Sequence, residues 1–261
     1  MLNKLIELSL NSTFRLINLF YLSRYFKKNN KFNLLKNIHD GKRVFILLNG
    51  KSLKNYDLNF LKDEIVICTN HFNINENYNM IKPKYHCATD NNFFDIKNFP
   101  HRKKQLEELI AENPNTNYIF NQKYKNFFDE KSNVFCVYSK HLPTRNNLSL
   151  DFSKNVSSFS NISLFAISLA LYLGSKEIYI MGMDFEPGVF SHFYDEKNKD
   201  SILNRSNKDE VFGWYMGYTR THLESYYLNE HARKNNTKIF NLNYKSYMRA
   251  YDFKDFNDLP I

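Results

Sequence analysis

The chain has 261 residues, 43% hydrophobic and 24% charged, so it can bury a core and is neither a disordered nor a fibrous protein. This length suits one α/β domain, with or without a small appendage. The net charge of +9 favours an anionic partner, for which nucleic acid, acidic phospholipid and phosphorylated metabolites all qualify.

Residues 1–40 predict an amphipathic, basic helical segment that precedes an α/β domain at 41–261. Its apolar residues recur at spacings of three and four. They are Leu5, Leu8, Phe14, Ile17, Phe20 and Tyr21. Basic residues cluster at its end, at Arg24, Lys27, Lys28 and Lys31. Such a helix either contacts an anionic membrane surface or packs on the domain or on another subunit.

No secretory signal or membrane span is predicted. Lys4, Glu7 and Arg15 interrupt the N-terminal apolar stretches, and no run reaches the ~18 apolar residues of a span. Three cysteines without a CxxC pair support neither a disulfide framework nor a structural zinc site. We therefore expect a cytoplasmic protein that contacts the inner membrane peripherally, if at all.

From residue 43 onwards, compact apolar runs alternate with helical patterns. The predicted strands are RVFILLNG, EIVICTN, KYHCATD, NYIFN, NVFCVYS, EIYIMGMD and TKIFNLN. The predicted helices are HRKKQLEELIAE, the apolar stretch from Ile162 that stops at Gly174, and HLESYYLNEHARKNN. This alternation predicts a Rossmann-like, mostly parallel sheet with helices on both faces.

Polar residues follow several of these strands, where ligands of such sheets bind. They are Asn49-Gly50-Lys51-Ser52, Asn70-His71, Asp90-Asn91 and Asp184-Phe185-Glu186. Carboxamides both donate and accept, which suits ribose hydroxyls, base edges and phosphate oxygens. The alternative is that Asn and Asp stand here because turns favour them.

The NGKSL segment lacks the spacing of a P-loop or a dinucleotide fingerprint, but Gly50 and Ser52 could offer backbone N–H groups to a phosphate. Asp184 and Glu186 are either the acid pair of a metal-dependent sugar transferase or loop caps. No HExxH or Cys/His cluster is present, so a catalytic zinc site is not expected.

Two histidines are candidate general bases. His192 lies in a polar loop after the strand that ends at Asp184, and His222 opens a predicted helix. An imidazole near its ordinary pKa of ~6.5 could deprotonate an acceptor hydroxyl. A purely structural histidine is the alternative for each.

Two long segments resemble a known family. RVFILLNGKSLKNYDLNFLKDEIVICTNHF resembles the N-terminal strand, Asn-Gly-x-Ser-Leu loop and second strand of the bacterial family 42 sialyltransferases. SFSNISLFAISLALYLGSKEIYIMGMDF resembles their later helix and strand that end in Gly-x-Asp-Phe. SHFYD and TKIFNLNYKSYMRAYDF are similar to the related 6-hydroxymethylpterin-diphosphokinase-like and motility accessory factor glycosyltransferases. Together the matches cover most of residues 43–253.

The resemblance implies a donor-binding set. Asn49 and Asn70 match nucleotide-contacting asparagines, and Asp90 or Asn91 falls where another is expected. Ser160 matches a donor-gripping serine, although Phe159 and Asn161 replace its neighbours. Asp184 also matches. The whole predicted set is Asn49, Gly50, Ser52, Asn70, Asp90, Asn91, Ser160, Asn161, Asp184, Phe185, Glu186 and Tyr218.

This chain has different residues at the family's phosphate-contacting and catalytic positions. Glu186 and His192 fall where the sialyltransferases have two phosphate-contacting tyrosines. Tyr218 falls at their catalytic histidine, which leaves His222 as a shifted substitute and His192 as the first choice for the base.

The implied activity is an inverting transfer of a nonulosonic acid from a CMP-sugar to a cell-surface glycan, without an obligatory cofactor or metal. The partners would be this donor and a glycan acceptor. An anionic membrane, contacted through residues 1–40, and a second copy of the chain are further candidate partners. One alternative is another nucleotide donor or diphosphate transfer to a pterin-like alcohol. Another is a basic nucleic-acid or membrane-binding module, although no nucleic-acid-binding signature is present.

Overall fold

The computed structural model describes residues 9, 12–19, 29–89, 93–94, 101–128, 131–186, 189–190, 193, 200–201 and 208–259. A nine-stranded sheet, parallel at every pairing, forms its centre. Its strands are β1 (Arg43–Leu47), β2 (Val66–Thr69), β3 (Tyr85–Ala88), β4 (Asn117–Asn121), β5 (Val134–His141), β6 (Asn155–Ser157), β7 (Glu177–Met181), β10 (Lys238–Asn241) and β11 (Asp252–Phe253). The short strands β8 (Val189–Phe190) and β9 (Asp200–Ser201) pair separately and antiparallel.

The strand order is β11-β10-β7-β1-β2-β3-β4-β5-β6. From β1 the chain adds strands in one direction as far as β6, and it then returns to place β7 on the other side of β1. The direction of winding therefore reverses between β1 and β7. In open parallel sheets, the crevice beyond the carboxyl ends of such a pair of strands is the usual ligand site.

Helices and 3-10 turns cover the sheet. The α-helices are α1 (residues 12–19), α2 (Tyr78–Ile81), α3 (His101–Glu112), α4 (Lys125–Phe128), α5 (Ile162–Tyr172) and α6 (Lys208–Lys234). The 3-10 helices are Asn30–Leu35, Lys51–Asn55, Asn59–Asp63, Asn70–Ile74, Gln122–Tyr124 and Phe256–Asp258.

Alternation along β1 divides the core between the two faces of the sheet. Val44 and Ile46 point into a cluster that includes most of α5, whereas Phe45 and Leu47 point into a cluster beneath the 3-10 helices. All four side chains are fully buried. A strand covered on both faces must be apolar throughout, which is why RVFILL reads as an unbroken apolar run.

Helix α5 is the central helix of the larger cluster. Asn161 caps its first turn, since the Asn161 Oδ1 accepts a hydrogen bond of 2.9 Å from the Ser163 N–H. The chain leaves the helix through Gly174, which has a φ of +89°. A glycine adopts that conformation without the steric penalty of a Cβ.

The structure confirms the predicted fold and every strand and helix predicted from residue 43 onwards. Helix α6 begins at Lys208, however, whereas we predicted a helix only from His222. Gly213 and Gly217 weaken the helical signal there, because glycine disfavours helix interiors. The two-residue and three-residue strands β6, β8, β9 and β11 are too short to show a period.

The N-terminal segment contacts the rest of the chain. Asn18, 3% exposed, donates from Nδ2 to the Leu142 O at 3.0 Å, and its Oδ1 accepts from the Leu142 N–H at 2.8 Å. Phe32 and Leu35 are buried within the α5 cluster. The boundary at residue 40 stays a prediction. Among the described residues, no helix combines the length and apolarity of a membrane span.

Candidate functional site

A cleft of about 570 Å³ opens at the carboxyl ends of β1 and β7, where the winding reverses. Loops after β1, β2, β3 and β7 form its floor, the turn before α5 forms one side, and α6 forms another. Its lining comprises Leu48, Asn49, Gly50, Thr69, Asn70, Thr89, Phe159, Ser160, Asn161, Ile162, Ser163, Gly182, Met183, Asp184, Phe185, Glu186, Trp214, Gly217, Tyr218 and Thr221. The structure thus brings together nine residues of the predicted donor-binding set: Asn49, Gly50, Asn70, Ser160, Asn161, Asp184, Phe185, Glu186 and Tyr218.

The carboxamides of Asn49 and Asn70 each have a buried oxygen that no described residue contacts by a hydrogen bond. The Asn49 Nδ2 donates to the Thr69 O at 3.1 Å, which fixes the direction of its Oδ1. Neither the Asn49 Oδ1 nor the Asn70 Oδ1 has a hydrogen-bond partner among the residues that the structure describes. Because leaving a buried acceptor unsatisfied is costly, two such atoms in one cleft indicate a ligand that donates hydrogen bonds.

A buried histidine supports Asn70, whose backbone is left-handed with a φ of 45°. The His86 Nε2 donates to the Asn70 O at 2.7 Å, since a carbonyl only accepts. The Nδ1 of the neutral ring then accepts from the Tyr78 hydroxyl at 3.2 Å. Burial lowers the pKa of His86 to about 4. A neutral imidazole therefore holds the Asn70 backbone in its unusual conformation.

Two glycines allow the loops after β1 and β7 to touch. The Gly50 N–H donates to the Gly182 O at 3.0 Å. A Cβ on Gly50 would lie 2.2 Å from that oxygen, and Gly182 has a φ of +75°. Neither position accepts a side chain without moving the backbone. Gly50 therefore shapes the floor of the cleft through its lack of a Cβ.

Asp184 joins three loops rather than facing the cleft alone. Its carboxylate accepts from the Ser52 N–H at 2.9 Å, from the Ser52 hydroxyl in a short contact, and from the Asn243 Nδ2 at 2.9 Å. We expected Ser52 to offer its N–H to a phosphate. The structure instead directs both donors of Ser52 to Asp184 and places Ser52 outside the cleft lining. The Gly50 N–H, for which we expected the same role, donates to the Gly182 O.

Asp184 and Glu186, the predicted acid pair, lie in different environments. Phe185, with a φ of 55°, turns the chain between the half-buried Asp184 and the exposed Glu186. Across the described ranges, no group of three or more His, Cys, Asp or Glu side chains could hold a metal ion. The hydrogen bonds that Asp184 accepts from Ser52 and Asn243 give it a structural task that needs no ion.

The turn before α5 is fastened to α6. The Glu224 carboxylate accepts from both the N–H and the hydroxyl of Ser160, each at 2.8 Å, and from the Arg220 Nε at 2.5 Å. Asn161, next along the turn, uses its Oδ1 to cap α5. The turn and its cap thereby direct the N-terminus of α5 towards the cleft, where backbone N–H groups favour negative charge.

An aromatic wall of Phe185, Trp214 and Tyr218 faces this polar side. The ring of Tyr218 stacks on Phe185 at 4.3 Å and on Trp214 at 5.2 Å. The Tyr218 hydroxyl donates to the Phe185 O at 3.3 Å, and burial raises the pKa of its phenol. Tyr218 is therefore a hydrogen-bond donor at neutral pH and not a general base.

Of the two candidate bases, the structure describes His222 but not His192. The His222 ring lies against Phe185 and Tyr218, with its Nε2 3.3 Å from the Tyr247 O. It is therefore behind the aromatic wall. His192, together with Asp90 and Asn91, lies outside the described residues. Phe193, which follows His192 in the chain, is described, and its N–H donates to the Asn49 O at 2.9 Å.

Sequence reasoning missed Glu224, Thr221 and Trp214. Glu224 and Thr221 stand in a stretch that reads as an ordinary amphipathic helix, and their buried positions depend on where α5 packs. Trp214 precedes the predicted start of that helix. It is the single tryptophan of the chain and one turn from Tyr218, which is the signal that could have revealed it.

No protein-family model matches the sequence, and no curated protein matches it. Several solved structures, however, match its fold. The MAf glycosyltransferase from Magnetospirillum magneticum AMB-1 matches with a TM-score of 0.50 and 14% identity, over 90% of this chain and 36% of that one. The sialyltransferase Cst-I from Campylobacter jejuni matches at 0.48 and 17%, over 81% and 79% of the two chains. CstII from the same organism, in complex with cytidine-5'-monophosphate, matches at 0.47 and 18%, over 82% and 85%.

These structures come from the families that the sequence resembles. The likeness to the MAf glycosyltransferase confirms the predicted resemblance at the level of the fold.

The buried His86 predicts an acid-sensitive fold. Its folded pKa of about 4 is below the ~6.5 of an unfolded chain, so the unfolded state binds more protons between these values. The contribution of His86 to stability is complete above pH ~6.5 and is lost as the pH falls towards 4. In His86→Gln, which cannot titrate, we expect this part of the loss, about 3 kcal/mol, to be absent from denaturant unfolding curves.

An NMR titration of the wild-type imidazole provides the control, because it does not depend on the variant folding. A midpoint near 6.5 would contradict the prediction.

Proposed function

We propose that this chain is a glycosyltransferase that moves a nonulosonic acid from a CMP-activated donor to a glycan acceptor. The observation that carries the proposal is the pair of unpartnered carboxamide oxygens, Asn49 Oδ1 and Asn70 Oδ1, in a cleft at the point where the sheet reverses. Ribose hydroxyls and the exocyclic amine of cytosine are donors that would satisfy both oxygens. The volume of about 570 Å³ is within the range of nucleotide-sized ligand sites.

The charges of the cleft favour a donor with a single phosphate. Its described lining contains the acidic residues Asp184 and Glu186 but no Lys or Arg. The N-terminus of α5 supplies partial positive charge at the cleft, equivalent to about half an elementary charge. This suits one phosphodiester charge better than the two of a nucleoside diphosphate sugar.

In the proposed reaction, the acceptor hydroxyl attacks the anomeric carbon of the donor sugar. A new C–O bond forms, the bond from that carbon to the phosphate oxygen breaks, and CMP leaves with the bonding pair. The proton of the hydroxyl passes to a general base. Hydrogen bonds from protein N–H groups to the departing phosphate stabilise its developing charge.

Binding of CMP tests the nucleotide site. At a CMP concentration 100 times Kd, we expect a rise in Tm of about 5 °C, because CMP binds the folded state alone. Asn49→Ala should weaken CMP binding about tenfold, since the variant loses the acceptor that the proposal assigns to the nucleoside. Exposed Asn115, in the turn before β4, supplies the control variant Asn115→Ala, which should bind as the wild type does.

UMP, GMP and ATP, assayed alongside CMP, separate the rival donors. A shift with ATP or GMP and none with CMP would contradict the proposal and favour diphosphate transfer or another sugar donor. Salt-dependent binding of DNA or RNA, again without a shift for CMP, would indicate a nucleic-acid-binding module.

The base is proposed to be His192, with His222 in reserve. Phe193 anchors the chain next to Asn49 through its 2.9 Å hydrogen bond, and this supports a base at the preceding position. We expect His192→Ala to lower kcat by about 10²- to 10⁴-fold and His222→Ala to lower it less, because the aromatic wall separates His222 from the cleft. Unchanged turnover in both variants would refute the assignment.

Peripheral contact with the inner membrane is also proposed, through α1. Leu16 and Leu19 are 70% and 62% exposed on this helix, and basic residues follow it in the sequence. A helix with exposed leucines and nearby positive charge binds anionic lipid surfaces. In Leu16→Asp/Leu19→Asp, we expect at least a threefold loss of cosedimentation with anionic vesicles. Equal pelleting of wild type and variant would contradict the contact, and neutral vesicles control for the charge.

A further inference from the structure

Glu224 is a buried carboxylate that lies outside the described lining of the cleft and is connected to it through Ser160. It projects from α6, is 2% exposed, and accepts hydrogen bonds through both of its oxygens. The Oε2 accepts from the N–H and the hydroxyl of Ser160, and the Oε1 accepts from the Arg220 Nε. A buried charge with this many partners is expensive to remove from its network.

Arg220 makes the connection rigid. Besides its contact with Glu224, its Nη2 donates to the Ser158 O at 2.8 Å. The two side chains are four residues apart on α6, and they hold the turn before α5 at both Ser158 and Ser160. The position of Ser160 in the cleft therefore depends on α6 as much as on its own loop.

The contact also fixes the polarity of the Ser160 hydroxyl. A serine hydroxyl has one hydrogen, and a carboxylate accepts hydrogen bonds without donating any. The hydrogen therefore points to Glu224. The Thr221 hydroxyl, 2.8 Å away, then donates to the Ser160 oxygen and shares its hydrogen with the Gly217 O, because two oxygens at this distance need a hydrogen between them. One lone pair of the Ser160 oxygen then remains to accept a hydrogen bond from a ligand in the cleft, which Ser160 lines.

We propose that Glu224 is a positioning residue that, held by Arg220, turns Ser160 into a hydrogen-bond acceptor for the nucleoside of the bound donor. The selected group is one that donates a hydrogen bond, either a ribose hydroxyl or the exocyclic amine of the base. Anionic groups are disfavoured at Ser160, because both of its donors are directed to Glu224. This role rests on the proposed function, which makes the ligand a cytidine nucleotide.

Glu224→Gln reverses the polarity with little change of shape. The amide oxygen stays with the Arg220 Nε, so the Nε2 faces Ser160 and donates to its oxygen. The Ser160 N–H loses its acceptor, and the Ser160 hydroxyl hydrogen becomes free to point into the cleft. The variant therefore loses its preference for a ligand donor at this position. Ser160→Ala removes the hydroxyl altogether and must abolish the same preference without altering Glu224.

Calorimetric titration of the full chain tests the proposal with CMP and with 2′-deoxy-CMP, 3′-deoxy-CMP and UMP, each of which lacks or replaces one hydrogen-bond donor of CMP. In the wild type, one of the three changes should weaken binding about tenfold, as a site built around a hydrogen bond rejects an analogue without it. In Glu224→Gln and in Ser160→Ala, the same change should cost less than about twofold. A merely structural role for Glu224 would weaken all four nucleotides equally, and that result would overturn the proposal.

Glu230→Gln is the matched control, because Glu230 lies on the same helix and pairs with Arg145 and Lys234. It should bind all four nucleotides as the wild type does.

Hydrogen exchange of the free protein adds a readout without ligand: residues 158–160 should exchange faster in Glu224→Gln than in Glu230→Gln. Equal exchange rates in the two variants would refute the claim that Glu224 holds the turn before α5 in place. Failure of the wild type to bind CMP would instead refute the proposed function, and the ligand-selecting role with it.

Discussion

The cleft depends on one backbone contact, the hydrogen bond from the Gly50 N–H to the Gly182 O. It is possible only because neither residue has a Cβ, and it brings the ends of β1 and β7 together. Asp184, two residues beyond Gly182, then reaches Ser52 on one side and Asn243 on the other. Three loops from the neighbouring strands β1, β7 and β10 are thereby joined, and the first of them carries Asn49.

The polar residues around the cleft share one chemical character. Asn49 and Asn70 present acceptors, Ser160 is oriented by Glu224, and the His86 imidazole stays neutral beneath Asn70. Within the described lining, partial positive charge comes from the N-terminus of α5, and no Lys or Arg is present there. The high net charge of the chain is thus not concentrated in the described lining of the cleft. Affinity for an anion at this site would come from oriented dipoles, whose orientation the fold has already fixed.

The sequence predicted the sheet well, because strands buried on both faces must be almost purely apolar. The rule that ligands bind beyond the carboxyl ends of parallel strands also located Asn49, Asn70 and Asp184. The same rule misjudged Ser52, since its partner is 132 residues away and no local pattern records that pairing. Glu224 was missed for a similar reason: its partner Ser160 is 64 residues away. Pairings across the fold are set by packing, which periodicity does not contain.

The position of Trp214 has one more consequence. It is the only indole in the chain, and it forms part of the wall of the cleft, stacked on Tyr218. The intrinsic emission of the protein therefore originates from the place where a ligand would sit. A ligand bound in the cleft would change the intensity or the emission maximum of the Trp214 fluorescence. Binding can therefore be followed without an attached dye.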